Sequence, residues 1–378
     1  MRSSKASLWF WQRIFSPHMA ELAVALAERG VNVTYVANNL ISQNRLKQGW
    51  ESPKIGKVNL LFAKDKETII KFIMKAPNNS IHISQGLRGN GLVKIAQKFI
   101  NKRNLRHWII MESVDDLIFL GPIKNFFYKF LFFVWKNRLE GFLAIGENTP
   151  KWIENNGIKK TNIYSFAYFL KFPKLNVLNE NIEKDKHHNF RFIYVGRLIK
   201  LKNIDFLIKA ISSIRSKKVD LWIVGDGPEK KKLEKLSNAI LPNQVSWFGT
   251  IPMSKVSNFI YQSDCLVLPS RHDGWGAVVS ESLMLGTPVI CSEACGSSII
   301  VKASNSGGVF KKNNISDLKV LLNQQFKKGI VSHKSRQNLI KWAKNLSAKS
   351  GAKYLENIID KKNNLIEPPW LRKINKID

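Results

Sequence analysis

The sequence predicts an α/β protein of two doubly wound, Rossmann-like domains facing a ligand cleft. Three observations carry this. Short apolar runs alternate with helix-like stretches over residues 8–146, the alternation stops in a polar stretch around residues 172–190, and a second alternating series then runs to residue 291. Strand–helix–strand order with short connections means parallel pairing, because a right-handed crossover returns the chain to the same sheet. A chain of 378 residues has room for two such domains.

In the first half, ASLWFWQ reads as a strand and HMAELAVALAERG as an amphipathic helix, with Gly30 past its end as a C-terminal stop. VNVTYVAN follows as a strand of β-branched and aromatic residues. Then come the strands NLLFA and SIHIS, a helix over LVKIAQKFINKR, the strand HWIIM, an aromatic helix and the strand GFLAIG. FPKLNVLNENIEKDKHHN has no face to bury and reads as a linker. The second series runs FIYVG, helix NIDFLIKAISSI, strand VDLWIVG, helix PEKKKLEKLSNAI, strand QVSWFG, helix MSKVSNFIYQ, strand CLVLP, helix VVSESLML and strand PVIC. Helical segments over residues 316–360 and a basic, Pro-containing tail complete the chain. The expected boundaries are a first domain over 1–172, a linker over 173–190, a second domain over 191–360 and a tail over 361–378.

Composition narrows the function. Hydrophobic residues at 44% and charged residues at 23% exclude a disordered chain. Sixty Lys and Arg against 28 Asp and Glu leave a net charge of +32, which calls for an anionic partner: nucleic acid, an acidic membrane surface or phosphorylated small molecules. The excess is spread over both halves, so no basic tail on a neutral core explains it. Cys265, Cys291 and Cys295 do not make a disulfide framework and fit a reducing cytosol. The Cys291–Cys295 spacing lacks the further His or Cys that a zinc site needs. LWFWQRIF is broken by Gln12 and Arg13 and is not expected to be a secretory signal. No apolar run reaches the ~18 residues that span a bilayer. The nearest, Phe126–Trp135, contains Lys129 and reads as either a core helix or an interfacial one.

The chemistry is expected in the strand-to-helix loops, at the carboxyl ends of the strands. After FIYVG, Gly196 lets backbone approach a ligand, and Arg197 and Lys202 place two cations beside a helix start. That combination suits a phosphate. VGDGPEK (Val224–Lys230) is not a dinucleotide fingerprint, since its third glycine would fall at Lys230; it reads as a tight turn feeding a helix at Pro228. After CLVLP, Gly274 and Gly276 free the backbone to wrap a ligand, and Asp273 and Glu281 offer carboxylates to sugar hydroxyls. No D-x-D carboxylate pair of the magnesium-binding kind occurs; Asp115 and Asp116 are adjacent and lie in the other half.

Together these elements resemble the retaining family-4 glycosyltransferases of the GT-B fold. VGRLIKLKN looks like that family's diphosphate loop and DGWGAVVSE like its E-x7-E signature, with GDGPE, VSWFG and SLMLGTPVI in the family's order. The resemblance is strong over roughly residues 190–300 and extends to the first half in strand order alone. It implies a nucleotide-sugar donor on the C-terminal domain and a saccharide or lipid-linked acceptor on the N-terminal one. Arg197 and Lys202 would neutralise the diphosphate, Asp273 would touch sugar hydroxyls, and Glu281 the ribose. Gly196, Gly274, Trp275 and Gly276 would complete the donor loops. Asp273, Arg197 and Lys202 are the catalytic candidates, with neither metal nor cofactor expected.

Two departures stand out. Asp273 stands where the family more often has Glu, and Phe15-Ser16-Pro17-His18 replaces the family's Gly-Gly loop after the first strand. His18, Gly86, Arg88 and Glu112 occupy the loop positions there, with His18 and Glu112 as secondary catalytic candidates. The basic surplus fits peripheral attachment to the anionic inner face of a cell membrane in a cytoplasmic enzyme of cell-surface polysaccharide synthesis. The rival readings are a sugar-nucleotide epimerase or phosphorylase of the same fold, and a nucleic-acid-binding protein. The last would need a clustered basic element.

Overall fold

The computed structural model describes residues 6–41, 43–113, 121–173, 189–360 and 366–372. Strands β1 (Leu8–Ile14), β2 (Val33–Asn39), β3 (Asn59–Phe62), β4 (Ile81–Gln85), β5 (Arg106–Glu112), β6 (Gly141–Ile145) and β7 (Ile163–Phe166) form one sheet. Its order is β3-β2-β1-β4-β5-β6-β7, and every pairing is parallel. Between the strands run α1 (Pro17–Glu28), α2 (Gln43–Leu46), α3 (Lys66–Lys75), α4 (Val93–Lys102), α5 (Gly121–Trp135) and α6 (Thr149–Asn155). Period-2 side chains divide the core between the faces. Trp9 and Trp11 of β1 pack with Ile69 and Ile73 of α3 and Ala96 and Ile100 of α4. Ile109, Phe142 and Ala144 pack with Tyr128 and Phe132 of α5 and Ile153 of α6.

The second sheet contains β8 (Phe190–Val195), β9 (Val219–Val224), β10 (Val245–Gly249), β11 (Cys265–Leu268), β12 (Val289–Ser292) and β13 (Gly307–Phe310). Its order is β10-β9-β8-β11-β12-β13, again all parallel. Its helices are α7 (Ile204–Ile211), α8 (Lys230–Ile240), α9 (Met253–Tyr261), α10 (Ala277–Met284), α11 (Ser298–Ser304), α12 (Ile315–Lys328) and α13 (His333–Ala343). Buried Arg336 on α13 holds the end of α10, donating to the Leu285 carbonyl at 3.0 Å and to Thr287 Oγ1 at 2.9 Å. Both folds are doubly wound, as the alternation predicts.

Two compact units result. The first comprises the described residues of Met1–Gln43, Ser52–Leu170 and Ala348–Pro368; the second comprises those of Asn44–Glu51, Lys171–Ser347 and Pro369–Asp378. The sequence reading placed residues 191–360 in the second domain. In the structure the last helix, α14 (Ala348–Asp360), belongs to the first unit. Arg29 of α1 meets Glu356 of α14 at 2.5 Å, and the Tyr354 hydroxyl donates to the Ser165 carbonyl at 2.8 Å. Gly351 sits against the Phe169 ring with no room for a side chain. Conversely, residues 44–51, read as part of the first domain, cluster with the second unit, where the Met253 amide donates to the Gly49 carbonyl at 2.9 Å. Residues 174–188 of the linker, Asp115 and Asp116, and residues 361–365 and 373–378 of the tail lie outside the described residues.

Candidate active site

In the second unit β8 and β11 lie side by side, and the strand order runs outward from them in both directions. Such a switch point opens a crevice at the carboxyl ends of the two strands. The loops that follow them, residues 196–203 and 269–276, are the two carrying the phosphate-like and sugar-like motifs. Gly196 has φ 152° and packs against the Tyr194 hydroxyl, which donates to the Arg197 carbonyl at 2.9 Å. The GDGPE turn braces this loop. Leu198 N donates to Asp226 O at 2.9 Å, Glu229 N donates to Leu198 O at 3.1 Å, and Gly225 lies directly on the Gly196 carbonyl. The turn is therefore a scaffold, which agrees with its rejection as a dinucleotide fingerprint. Helix α8 begins at Lys230, two residues beyond the expected Pro228.

Lys202 and Asp273, 71 residues apart in sequence, form an ion pair with Nζ 2.5 Å from Oδ2. Their side chains are only 16% and 17% exposed, so water screens the pair weakly. Backbone contacts fix both partners. Arg271 N donates to Leu201 O at 2.9 Å, and Arg271 Nε donates to Asn203 Oδ1 at 3.1 Å, with Asn203 in the left-handed conformation at φ 58°. Asp273 N donates to Ala294 O at 3.1 Å, while Asp273 O accepts from Gly296 N at 2.8 Å. Arg197 is exposed and has no carboxylate partner among the described residues; Lys200 is also exposed. The motif thus contains one cation held at a carboxylate and one open to a ligand.

Gly276, at φ 82°, begins α10, where a Cβ would come within 2.7 Å of Leu268 Cδ2. The Trp275 side chain is 2% exposed, and its indole N–H donates to Ser280 Oγ at 3.1 Å. It anchors the loop in the core, so it can meet a ligand only through its backbone, unlike an open aromatic face. Glu281 lies on α10, partly covered and without a hydrogen-bond partner among the described residues. Burial pushes its carboxyl up to about 7. A carboxyl with no hydrogen-bond partner among the described residues can accept from a ligand.

Two further neighbours carry no signal in the sequence. The hydroxyls of Ser270 and Ser297 are fully buried without a hydrogen-bond partner among the described residues, and Ser297 lies against Gly276. Nothing in the spacing of two serines marks them. Cys291 and Cys295 are free, buried thiols. The Cys295 thiol is pushed up by its contact with Cys291 and by burial. Among the described residues no group of three or more His, Cys, Asp or Glu side chains is placed to hold a metal ion.

The corresponding switch point of the first unit lies between β1 and β4. Phe15 is buried edge-on against Tyr35, with ring centroids 4.8 Å apart, and Ser16 and Pro17 open α1. His18 lies 5.4 Å from the Tyr168 ring, and the Tyr168 hydroxyl donates to Glu112 Oε1 at 2.6 Å. The structure thus brings both secondary candidates to one tyrosine that the sequence reading did not select. Gly86 has φ 58°, and its carbonyl accepts from Gln97 Nε2 at 2.5 Å and Asn90 Nδ2 at 3.1 Å. Arg88 turns away to the aromatic helix, its guanidinium 5.2 Å from the Phe127 ring centre.

That helix is neither wholly core nor wholly surface. Tyr128 and Phe132 are buried, whereas Phe126, Phe127, Phe130 and Phe133 are 73%, 51%, 58% and 67% exposed. α5 carries no Asp or Glu, and Lys136 lies 4.7 Å from the Phe133 ring centre. No helix among the described residues is long and apolar enough to cross a membrane.

The comparisons with known proteins agree with this fold. Residues 179–346 match the family model described as Glycosyl transferases group 1. The structure is similar over its length to HepE from Anabaena in complex with UDP, with a TM-score of 0.73 at 12% identity, covering 94% of this chain and 100% of that one. It is also similar to the lipopolysaccharide outer core galactosyltransferase WaaB, with a TM-score of 0.68 at 17% identity, covering 94% and 100%. The two Rossmann-like units are those of the GT-B fold. Among sequence relatives, an uncharacterised glycosyltransferase of Methanocaldococcus jannaschii is 27% identical over 223 residues, 58% of each chain. The capsular polysaccharide biosynthesis glycosyltransferase CapM of Staphylococcus aureus is 23% identical over 301 residues, 75% of this chain and 74% of that one. The chain thus spans a little over half of the first of these relatives and about three quarters of the second.

Proposed function

We propose that this protein is a glycosyltransferase that moves a hexosyl group from a nucleotide-sugar donor to a saccharide or lipid-linked acceptor, with retention of configuration. The observation that carries the reading is the arrangement at the switch point of the second unit. A basic loop, a carboxylate paired with one of its cations and, on the next helix, a carboxyl without a hydrogen-bond partner among the described residues all lie in the segment that matches the family model. As the glycosidic bond of the donor breaks, negative charge grows on the departing diphosphate. Fixed cations aimed at that charge lower the barrier without having to reorganise. Arg197 and Lys202 supply them. Asp273 accepts from sugar hydroxyls, the Gly274–Gly276 backbone follows the sugar and phosphate, and Glu281 accepts from the ribose.

In this reading the first unit holds the acceptor, with His18, Tyr168 and Glu112 at its switch point. The exposed phenylalanines of α5 and the cations beside them suit the anionic inner face of a cell membrane. Aromatic side chains settle at such an interface, and each nearby Lys or Arg adds about 1 kcal/mol. Cell-surface polysaccharide synthesis is the setting proposed, in line with CapM. A thermal-shift panel of UDP-, GDP- and other nucleotide sugars identifies the donor, and transfer is then assayed in excess EDTA. Activity that persists in EDTA supports charge stabilisation by Arg197 and Lys202. Activity lost in EDTA and restored by magnesium overturns it.

A further inference from the structure

We propose that the Lys202–Asp273 ion pair makes the site prefer an intact sugar nucleotide to the spent nucleoside diphosphate, so that Asp273 promotes product release as well as reading the sugar. This rests on the donor-site reading above and adds a role that reading does not contain.

The preference follows from the partners available to each charge. Without ligand, Lys202 and Asp273 satisfy one another at 2.5 Å in a setting where both are largely covered. Their loops are held by main-chain hydrogen bonds from Arg271, Asp273 and Gly296, so neither residue can simply swing out into water with its loop. A diphosphate that recruits Lys202 therefore takes it from Asp273, and the carboxylate must find another donor. An intact donor brings sugar hydroxyls that give hydrogen bonds to Asp273, and every charge keeps a partner. A spent nucleoside diphosphate brings only more negative charge. It leaves a covered carboxylate unpaired and adds repulsion, and removing one partner of a covered pair is the costly case. The two ligands differ in the sugar and in the extra negative charge of the freed terminal phosphate, and the pair turns both differences into one preference. Glu281 cannot do this, because it faces no cation among the described residues.

The test is a double-mutant cycle read by calorimetry with UDP, GDP and inorganic pyrophosphate as probes. Asp273→Asn is expected to bind the nucleoside diphosphate about five- to tenfold more tightly than the unmodified protein, and to bind the matching intact sugar nucleotide less tightly. Lys202→Ala is expected to weaken diphosphate binding. Adding Asp273→Asn to Lys202→Ala should then gain less than about twofold, because the pair is already gone. An equal gain in both backgrounds reduces the effect to plain repulsion and overturns the proposal. So does unchanged or weaker diphosphate binding by Asp273→Asn. If both proteins bind a diphosphate equally well, the donor site stands and the ion-pair role falls. If neither binds any of the probes, the donor-site reading falls, and the ion-pair role with it.

Discussion

The two switch points share a topology and differ in chemistry. In the second unit the loops are glycine-rich, tightly cross-braced and charged, ending in the Lys202–Asp273 pair and the unpartnered Glu281. In the first, the loop after β1 is filled by Phe15 and Pro17, and the polar groups near it include His18, Tyr168 and Glu112. The difference teaches what a ligand demands of a loop. A diphosphate requires close backbone approach and fixed positive charge, which few residue types provide. Hydroxyl-bearing acceptors can be met by many combinations of ring and carboxylate. On the proposed function, the donor side writes a motif into its sequence, and the acceptor side writes only a position.

The largest expected effect separates the two sites most sharply. Arg197→Ala or Lys202→Ala should lower kcat and kcat/KM together by about 10²–10³-fold, the range for loss of one preorganised charge-stabilising group. The double variant should fall short of the product of the two, since both act on one leaving group. Exposed Lys200, next to them in sequence, should be nearly neutral on replacement by Ala. Equal sensitivity at all three positions in steady-state assays would reduce the loop to a diffuse basic patch.

Replacing Phe126, Phe127, Phe130 and Phe133 together by Ser should reduce binding to anionic vesicles at least about tenfold. Even partial burial of one phenylalanine contributes ~1 kcal/mol or more. Thermal stability should change little, because these rings are exposed in the free protein. Residual binding should weaken steeply with salt. Vesicle binding unchanged by the four substitutions would remove α5 from the interface.

Tyr168→Phe removes the hydroxyl that donates to Glu112 at 2.6 Å. It should lower transfer about tenfold and shift its pH profile, while nucleotide affinity in the other unit stays the same. Equal losses in both readouts would mean a general structural defect.

Acid should also act differently on the two units. Burial holds His82 and His107 down to about 3, with Arg103 a lesser cause for the first and His82 for the second. The unfolded chain therefore takes up their protons first. Their neutral forms favour folding above about pH 6.5, and stability is lost as pH falls from there toward 3, by ~1.4 kcal/mol per pH unit for each ring. Replacing both by Gln should flatten that slope in thermal scans between pH 7 and 5. Glu281 has the opposite sign. Its carboxyl keeps its proton up to about 7 in the folded protein, so this group favours folding below about 4.5 and that contribution is lost as pH rises to 7. Ribose hydroxyls donate to the ionised form, so nucleotide affinity should rise modestly between pH 6 and 8 and be pH-independent of this group in Glu281→Gln. A rise that survives in Glu281→Gln would assign it elsewhere.

The alternation of apolar runs and amphipathic stretches by itself determined that there are two parallel, doubly wound sheets, because period and connection length are local properties that only one handed crossover satisfies. It also marked the loops proposed to hold a diphosphate, since Gly196, Arg197, Lys202 and Gly276 lie within short windows of chain. Strand β13 escaped notice because Gly307 and Gly308 make up half of it. Gly307 lies directly on the Val289 backbone, so close strand approach, and not strand propensity, put glycine there. Only the tertiary structure decided that α14 returns to the first unit, that residues 44–51 join the second, and that Tyr168 links His18 to Glu112. It alone closed Lys202 onto Asp273 across 71 residues. Each of these is a contact between segments far apart in the chain. No local preference encodes such a contact; it forms when packing brings two groups distant in the chain to face one another.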